Sequence, residues 1–166
     1  MMLSKGSHIL LREDGTECLV EQLTIGTTVF NPLSRTYFKV EDILSRQVDY
    51  SLCRSHPLLP IVIEASEVDV GRPRHRVLVS PSQAIFTCER QSEESTYAVA
   101  SVRTASSLFP RAHDNEAVHE FSKFITYFAV FSKQLQFLDV SGLLMQTYDI
   151  SVYEKSRNKF SKAYVN

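Results

Sequence analysis

Residues 43–86 read ILSRQVDYSLCRSHPLLPIVIEASEVDVGRPRHRVLVSPSQAIF. After an arginine-bearing turn comes an apolar run, Leu58-Leu59-Pro60-Ile61-Val62-Ile63. A Gly71-Arg72-Pro73-Arg74 turn follows, then a second run, Val77-Leu78-Val79, which stops at Ser80-Pro81. Short apolar runs closed off by turn residues are the pattern of buried strands. Pro73 and Pro81 bracket residues 76–79. Proline cannot donate to a sheet ladder, so it suits the borders of a strand.

The same punctuation extends in both directions. Asp14-Gly15 sits between short apolar segments, a hairpin signal. Gly26 to Pro32 reads as turn, strand, turn, and Phe38 to Ile43 alternates with the period of a half-buried strand. Val118 to Phe131 fits a helix on one set of apolar residues and a strand on another. Its aromatic and β-branched residues favour a strand from about Phe124. Strands are expected near 8–12, 37–43, 60–64, 76–80, 84–88, 97–100, 124–131 and 135–140, with a helical turn at Ala105 to Leu108 and little other helix. Gln91 to Ser95 reads as a polar loop. Many short strands with frequent turns predict an all-β sandwich or barrel-like fold rather than a βαβ sheet.

The chain has 166 residues, enough for one domain with a proper core. Residues 1–153 form the expected domain, and 154–166 (EKSRNKFSKAYVN) a basic, solvated tail. A formal net charge of −1 gives no general attraction to nucleic acid or anionic membrane, and neither is expected as a partner. No apolar run is long enough to span a bilayer, and MMLSKGSHIL lacks the apolar core of a signal peptide, so a cytoplasmic location is the default expectation. Cys18, Cys53 and Cys88 are an odd set without close pairs, a poor disulfide framework and a poor zinc site.

The run, turn and S-P block together resemble the Hint (Hedgehog/intein) superfamily. In particular they resemble a bacterial branch with an L-P-V-R-I run, a G-x-P-R-R-D turn and an L-L-V-S-P-Q-H block. The start of that branch reads C-F-x-x-G-T-x-I, then a D-G turn, V-E-x-L and G-D-x-V. This chain offers Leu3, Gly6, Ser7 and Ile9, then Asp14-Gly15, Val20-Glu21-Gln22-Leu23 and Gly26-Thr27-Thr28-Val29. The branch ends on an aromatic strand, a D-R-H turn, another strand and G-L-P-x-E-S-Y. The counterparts are Ile125 to Phe128, Ser132-Lys133-Gln134, Phe137 to Val140 and Gly142 to Tyr148. The resemblance spans roughly residues 2–150. It implies an all-β Hint-like fold of short and curved strands, in two pseudo-twofold halves.

It also implies a chemistry. In such domains the first cysteine attacks the carbonyl of the peptide bond before it, turning amide into thioester. A histidine in an S-P-x-H block protonates the leaving nitrogen. In this chain the cysteine position is Met2, whose thioether has no proton to lose. Ser80 and Pro81 are kept, but Gln83 stands at the histidine and Gln134 at the later one. Glutamine forms hydrogen bonds and does not titrate near neutrality. Losing one member of a catalytic unit is usually disabling. With Met1 as the start, at most one residue would precede the reaction centre. Ser4 is the nearest hydroxyl and has no evident base beside it. Asn166 ends the chain as asparagine ends an intein, but Val165 stands where an intein has histidine.

No cofactor is expected. His113 to Glu120 gathers possible metal ligands without zinc-type spacing, so a solvated loop is the expectation and no metal site is assigned. Arg72, Arg74, His75 and Arg76 read as a solvated or salt-bridged turn. The stripe Phe121, Phe124, Tyr127, Phe128 and Phe131 reads as core. Three functions remain open. One is a structural or interaction module with an unknown protein or peptide partner. Another is an active self-processing domain with an unorthodox nucleophile. The third is a small-ligand or peptide binder using the vacated cleft. The catalytic positions Met2, Ser80, Gln83 and Gln134 are expected to converge on the chain start, with Ser80 and Gln83 on the wall of a cleft.

Overall fold

The computed structural model describes residues 2–49, 60–68, 70–90, 98–109 and 124–154. The turn before Leu58, Cys53, the 91–95 loop, Phe121, the histidines at 113 and 119 and the tail from 155 lie outside them.

The chain opens with β1 (Leu3–Ser4), β2 (His8–Leu10) and β3 (Glu17–Leu19), then a 3-10 turn, Val20–Gln22. A hairpin follows, β4 (Thr28–Asn31) and β5 (Thr36–Lys39), leading into β6 (Asp42–Asp49). Next come β7 (Ile61–Ile63), β8 (Val77–Val79), β9 (Ala84–Arg90), β10 (Ala98–Thr104) and the short helix α1 (Ala105–Leu108). The last strands are β11 (Phe124–Ser132), β12 (Phe137–Val140), β13 (Leu143–Gln146) and β14 (Tyr148–Asp149). A helical turn covers 150–154. The fold is all-β, as the sequence predicts.

Two six-stranded sheets enclose the core. One runs β14-β11-β1-β8-β7, with β6 on the other edge of β11. The second runs β10-β9-β13-β12-β2-β3. The runs that decide the sequence reading lie at the centre: Ile61, Ile63 and Val79 are fully buried, and Val77 nearly so. β12 and β13 alternate buried and half-buried residues, as period-two segments should. They join through Ser141-Gly142, with φ of 53° and 97°. Positive φ at both positions of a two-residue loop matches the right-handed twist of the strands it connects. The Asp14-Gly15 turn closes the β2–β3 hairpin, with the Leu11 N–H donating to Thr16 O at 2.7 Å.

Three expectations need correction. The single strand at 37–43 is two. At Val40 the chain leaves the β4–β5 hairpin, which holds Val40 through Thr27 O at 2.9 Å. At Glu41 it joins β11 through Phe131 O, also at 2.9 Å. The strand expected to end at Ile43 instead runs on as the long strand β6, which pairs with β11 from Asp42 to Asp49. Four consecutive exposed residues in β6 hide its period from the sequence. The aromatic stripe is only partly core: Tyr127 is fully buried and Phe131 nearly so, but Phe124 is 43% exposed.

Candidate functional site

The site grows from the placement of β1. This two-residue strand is inserted between β11 and β8, in the interior of a sheet. Leu3 faces Phe128 on one side and Val79 on the other. The turn from β1 to β2 is tight: Ser7 Oγ donates to Ser4 O at 2.8 Å, and Gly6 takes φ of 86°. Only glycine adopts that φ without strain.

The pairing of β1 with β8 brings Met2 against Ser80. The Met2 N–H donates to Ser80 Oγ at 2.9 Å. The Ser80 N–H donates back to Met2 O at 3.0 Å. Pro81 and Ser82 form a turn closed by the Gln83 N–H on Ser80 O at 2.9 Å. Gln83 thus lies one hydrogen bond from the residue that holds the chain start. Its side chain points elsewhere: Nε2 donates to Ala84 O at 3.1 Å and to Gln146 O at 3.3 Å. Ser80 is 1% exposed and Gln83 2%. The expected cleft wall is therefore a closed, hydrogen-bonded contact. Burying an amide requires its donors to be met, and two backbone carbonyls meet them here.

Met2 is half-buried and packs against the small cluster of Val48, Ile125 and Tyr127. Ser4 is buried in β1 opposite Tyr127. Gln134 does not converge. It is exposed and borders a separate groove with Phe38, Lys39 and Glu41. By the β1–β11 register Met2 falls opposite Ala129, so Gln134 lies well beyond the chain start.

What does join the two regions is a buried hydroxyl pair absent from the sequence reading. Ser132 Oγ lies 2.6 Å from Thr147 Oγ1, and it donates to Gln134 O at 2.6 Å. Ser132 and Thr147 are each 1% exposed. Thr147 follows Gln146, whose carbonyl accepts the Gln83 amide. A polar path therefore runs from Met2 through Ser80, Gln83 and Gln146 to Thr147 and Ser132. One signal for it was available: Gln146-Thr147-Tyr148 replaces E-S-Y, so a hydroxyl persists beside the tyrosine.

Ser82 also brings a hydroxyl to this centre, its Oγ 3.4 Å from Ser80 Oγ. Cys18 is free and half-buried on β3, with burial pushing its thiol up and the Glu21 charge adding to that. A thiol held protonated is a poor nucleophile. None of the helices among the described residues is long and apolar enough to cross a membrane.

The comparisons agree with this architecture. No curated protein matches the chain. A family model described as Hint domain matches residues 2–151, from the methionine held by Ser80 to the helical turn after β14. This all-β chain, with its first strand set between β8 and β11, belongs to the Hint domain family.

Proposed function

We propose that this Hint domain does not cut or splice its backbone and serves as a structural or interaction module for a protein or peptide partner. One observation carries the reading: the pair of side chains at the chain start. Met2 stands where the resemblance places the nucleophile, and Gln83 where it places the proton donor. A thioether cannot form a thioester, and a carboxamide cannot act as a general acid near neutral pH. The geometry supports the reading from a second side. The Ser80 hydroxyl oxygen accepts the Met2 N–H, and Gln83 donates its amide protons to two carbonyls. Packing rather than the catalytic set sustains a fold, so its shape outlasts the chemistry.

The experiment is a fusion carrying a foreign segment before Met2, incubated with dithiothreitol or hydroxylamine and followed by intact mass. The fusion is expected to stay whole. Release of the upstream segment faster than from a denatured control overturns the proposal in favour of an unorthodox nucleophile such as Ser4.

A further inference from the structure

A second cluster lies on the other sheet, on a face the catalytic comparison does not touch. In the β2–β3 register Leu10 faces Glu17 and His8 faces Leu19, so His8 and Glu17 are diagonal neighbours on one face. Val140 faces Ile9, which puts Asp139 opposite Leu10 on that same face. The loop between β7 and β8 crosses this face, anchored by the Arg74 N–H on Ser141 O at 2.6 Å. It brings His75 over His8, with ring centroids 4.9 Å apart.

We propose that His8, Glu17 and His75 form a binding site for a divalent transition-metal ion of the zinc class. The geometry is close to that of a loaded site. One ligand atom from each of the three lies within 4.8 Å of the others. His8 Nδ1 and Glu17 Oε2 are 3.3 Å apart. Metal–ligand bonds near 2.0–2.1 Å in a tetrahedron set ligand atoms about 3.3 Å apart, so this pair already has the spacing. His75 is exposed on a loop, and its side chain must move in to close the two remaining edges, to His8 and to Glu17.

The surroundings are arranged for a cation. Glu17 divides its two oxygens: Oε2 faces His8, and Oε1 accepts from Arg74 Nη2. Arg74 is held in turn by Asp139 Oδ1 at 3.2 Å. A ligating carboxylate whose second oxygen is held by a fixed donor is a characteristic outer-sphere arrangement. Glu17 and Asp139 share the Arg74 guanidinium between them. Two imidazoles with one carboxylate suit zinc, cobalt, nickel or copper, and not calcium or magnesium, which prefer oxygen throughout. Three protein ligands leave the fourth position of a tetrahedron to water.

The ion would tie the β7–β8 loop to the β2–β3 hairpin. His8 follows the turn after β1, and His75 precedes β8. The clamp would therefore join the two segments that lead to the Met2–Ser80 contact. The proposal is independent of whether the domain cleaves itself.

The test uses the full chain without a histidine tag. Co2+ is the probe, read by its visible absorption and then displaced by Zn2+. One equivalent of saturable binding is expected, and His75→Ala or Glu17→Gln should weaken it at least tenfold. Far-UV circular dichroism checks that each variant is folded. Glu41→Gln, an exposed carboxylate at the junction of β5 and β6, serves as the control and should leave binding unchanged. Zn2+ should also raise the melting temperature of the wild-type chain and not that of His75→Ala. Absence of saturable binding overturns the proposal. So does binding that survives the combined His8→Ala and His75→Ala substitutions.

Discussion

Met2 and Ser80 are joined by two reciprocal hydrogen bonds: the Met2 N–H to Ser80 Oγ at 2.9 Å, and the Ser80 N–H to Met2 O at 3.0 Å. They are 78 residues apart in sequence. The serine kept from the family's block thus has a structural task, closing the first strand onto β8. Replacing it with alanine removes the hydroxyl acceptor and leaves the backbone bond. Ser80→Ala is expected to cost about 1 kcal/mol. In a domain of this size that lowers the melting temperature by about 2–4 °C. A thermal melt checks this. An unchanged melting temperature would remove the hydroxyl from the account of the chain start.

Shape without chemistry predicts that chemistry can be returned. In a fusion with an upstream segment, Met2→Cys alone should not release that segment at a useful rate, because the proton donor is still absent. Met2→Cys combined with Gln83→His should give thiol-dependent release, scored by intact mass, provided the new imidazole turns from the Gln146 carbonyl toward the Met2 nitrogen. General acid catalysis contributes roughly 10²–10⁴-fold, so the double variant should exceed the single one by at least tenfold.

The Ser141-Gly142 loop gives a backbone prediction. Gly142 takes φ of 97°, and an added Cβ would lie 3.5 Å from Arg74 Nη1. The space is ordinary, so the cost is conformational. Gly142→Ala should destabilise the domain by about 1 kcal/mol or more, measured by urea denaturation.

Alkaline pH should weaken the fold through Tyr148. Burial pushes its phenol up from 10.0 to about 12, and the ring stacks on Phe131 with centroids 5.0 Å apart. A group whose pKa is raised on folding contributes stability that is complete below its unfolded value and lost as pH rises through the folded one. Tyr148 should therefore cost stability between about pH 10 and 12. Denaturant midpoints measured across that window should fall less in Tyr148→Phe than in the wild type. Parallel curves would rule Tyr148 out as the source.

Much of the fold is legible in the sequence because its signals are local. The Asp14-Gly15 turn, the Ile61 to Ile63 and Val77 to Val79 runs, and α1 stand where turn residues and apolar runs place them. Each depends on neighbours a few residues away. β6 is the counterexample: its exposed middle has no period, and its partner β11 comes some eighty residues later. Only the pairing makes it a strand.

The chemical identities at the chain start also belong to the sequence alone. A methionine at position 2 and a glutamine at position 83 rule out a thioester and a titrating acid there, whatever the fold. The tertiary structure decided which of these residues meet. It set β1 between β8 and β11, brought Ser80 to Met2, turned the Gln83 amide toward Gln146 and left Gln134 in solvent. It also drew His8, Glu17 and His75 together from two separate segments. Convergence of this kind follows from strand order and register. Those are set by how the buried faces of two sheets fill one core, a condition on the whole chain that no short window of residues carries.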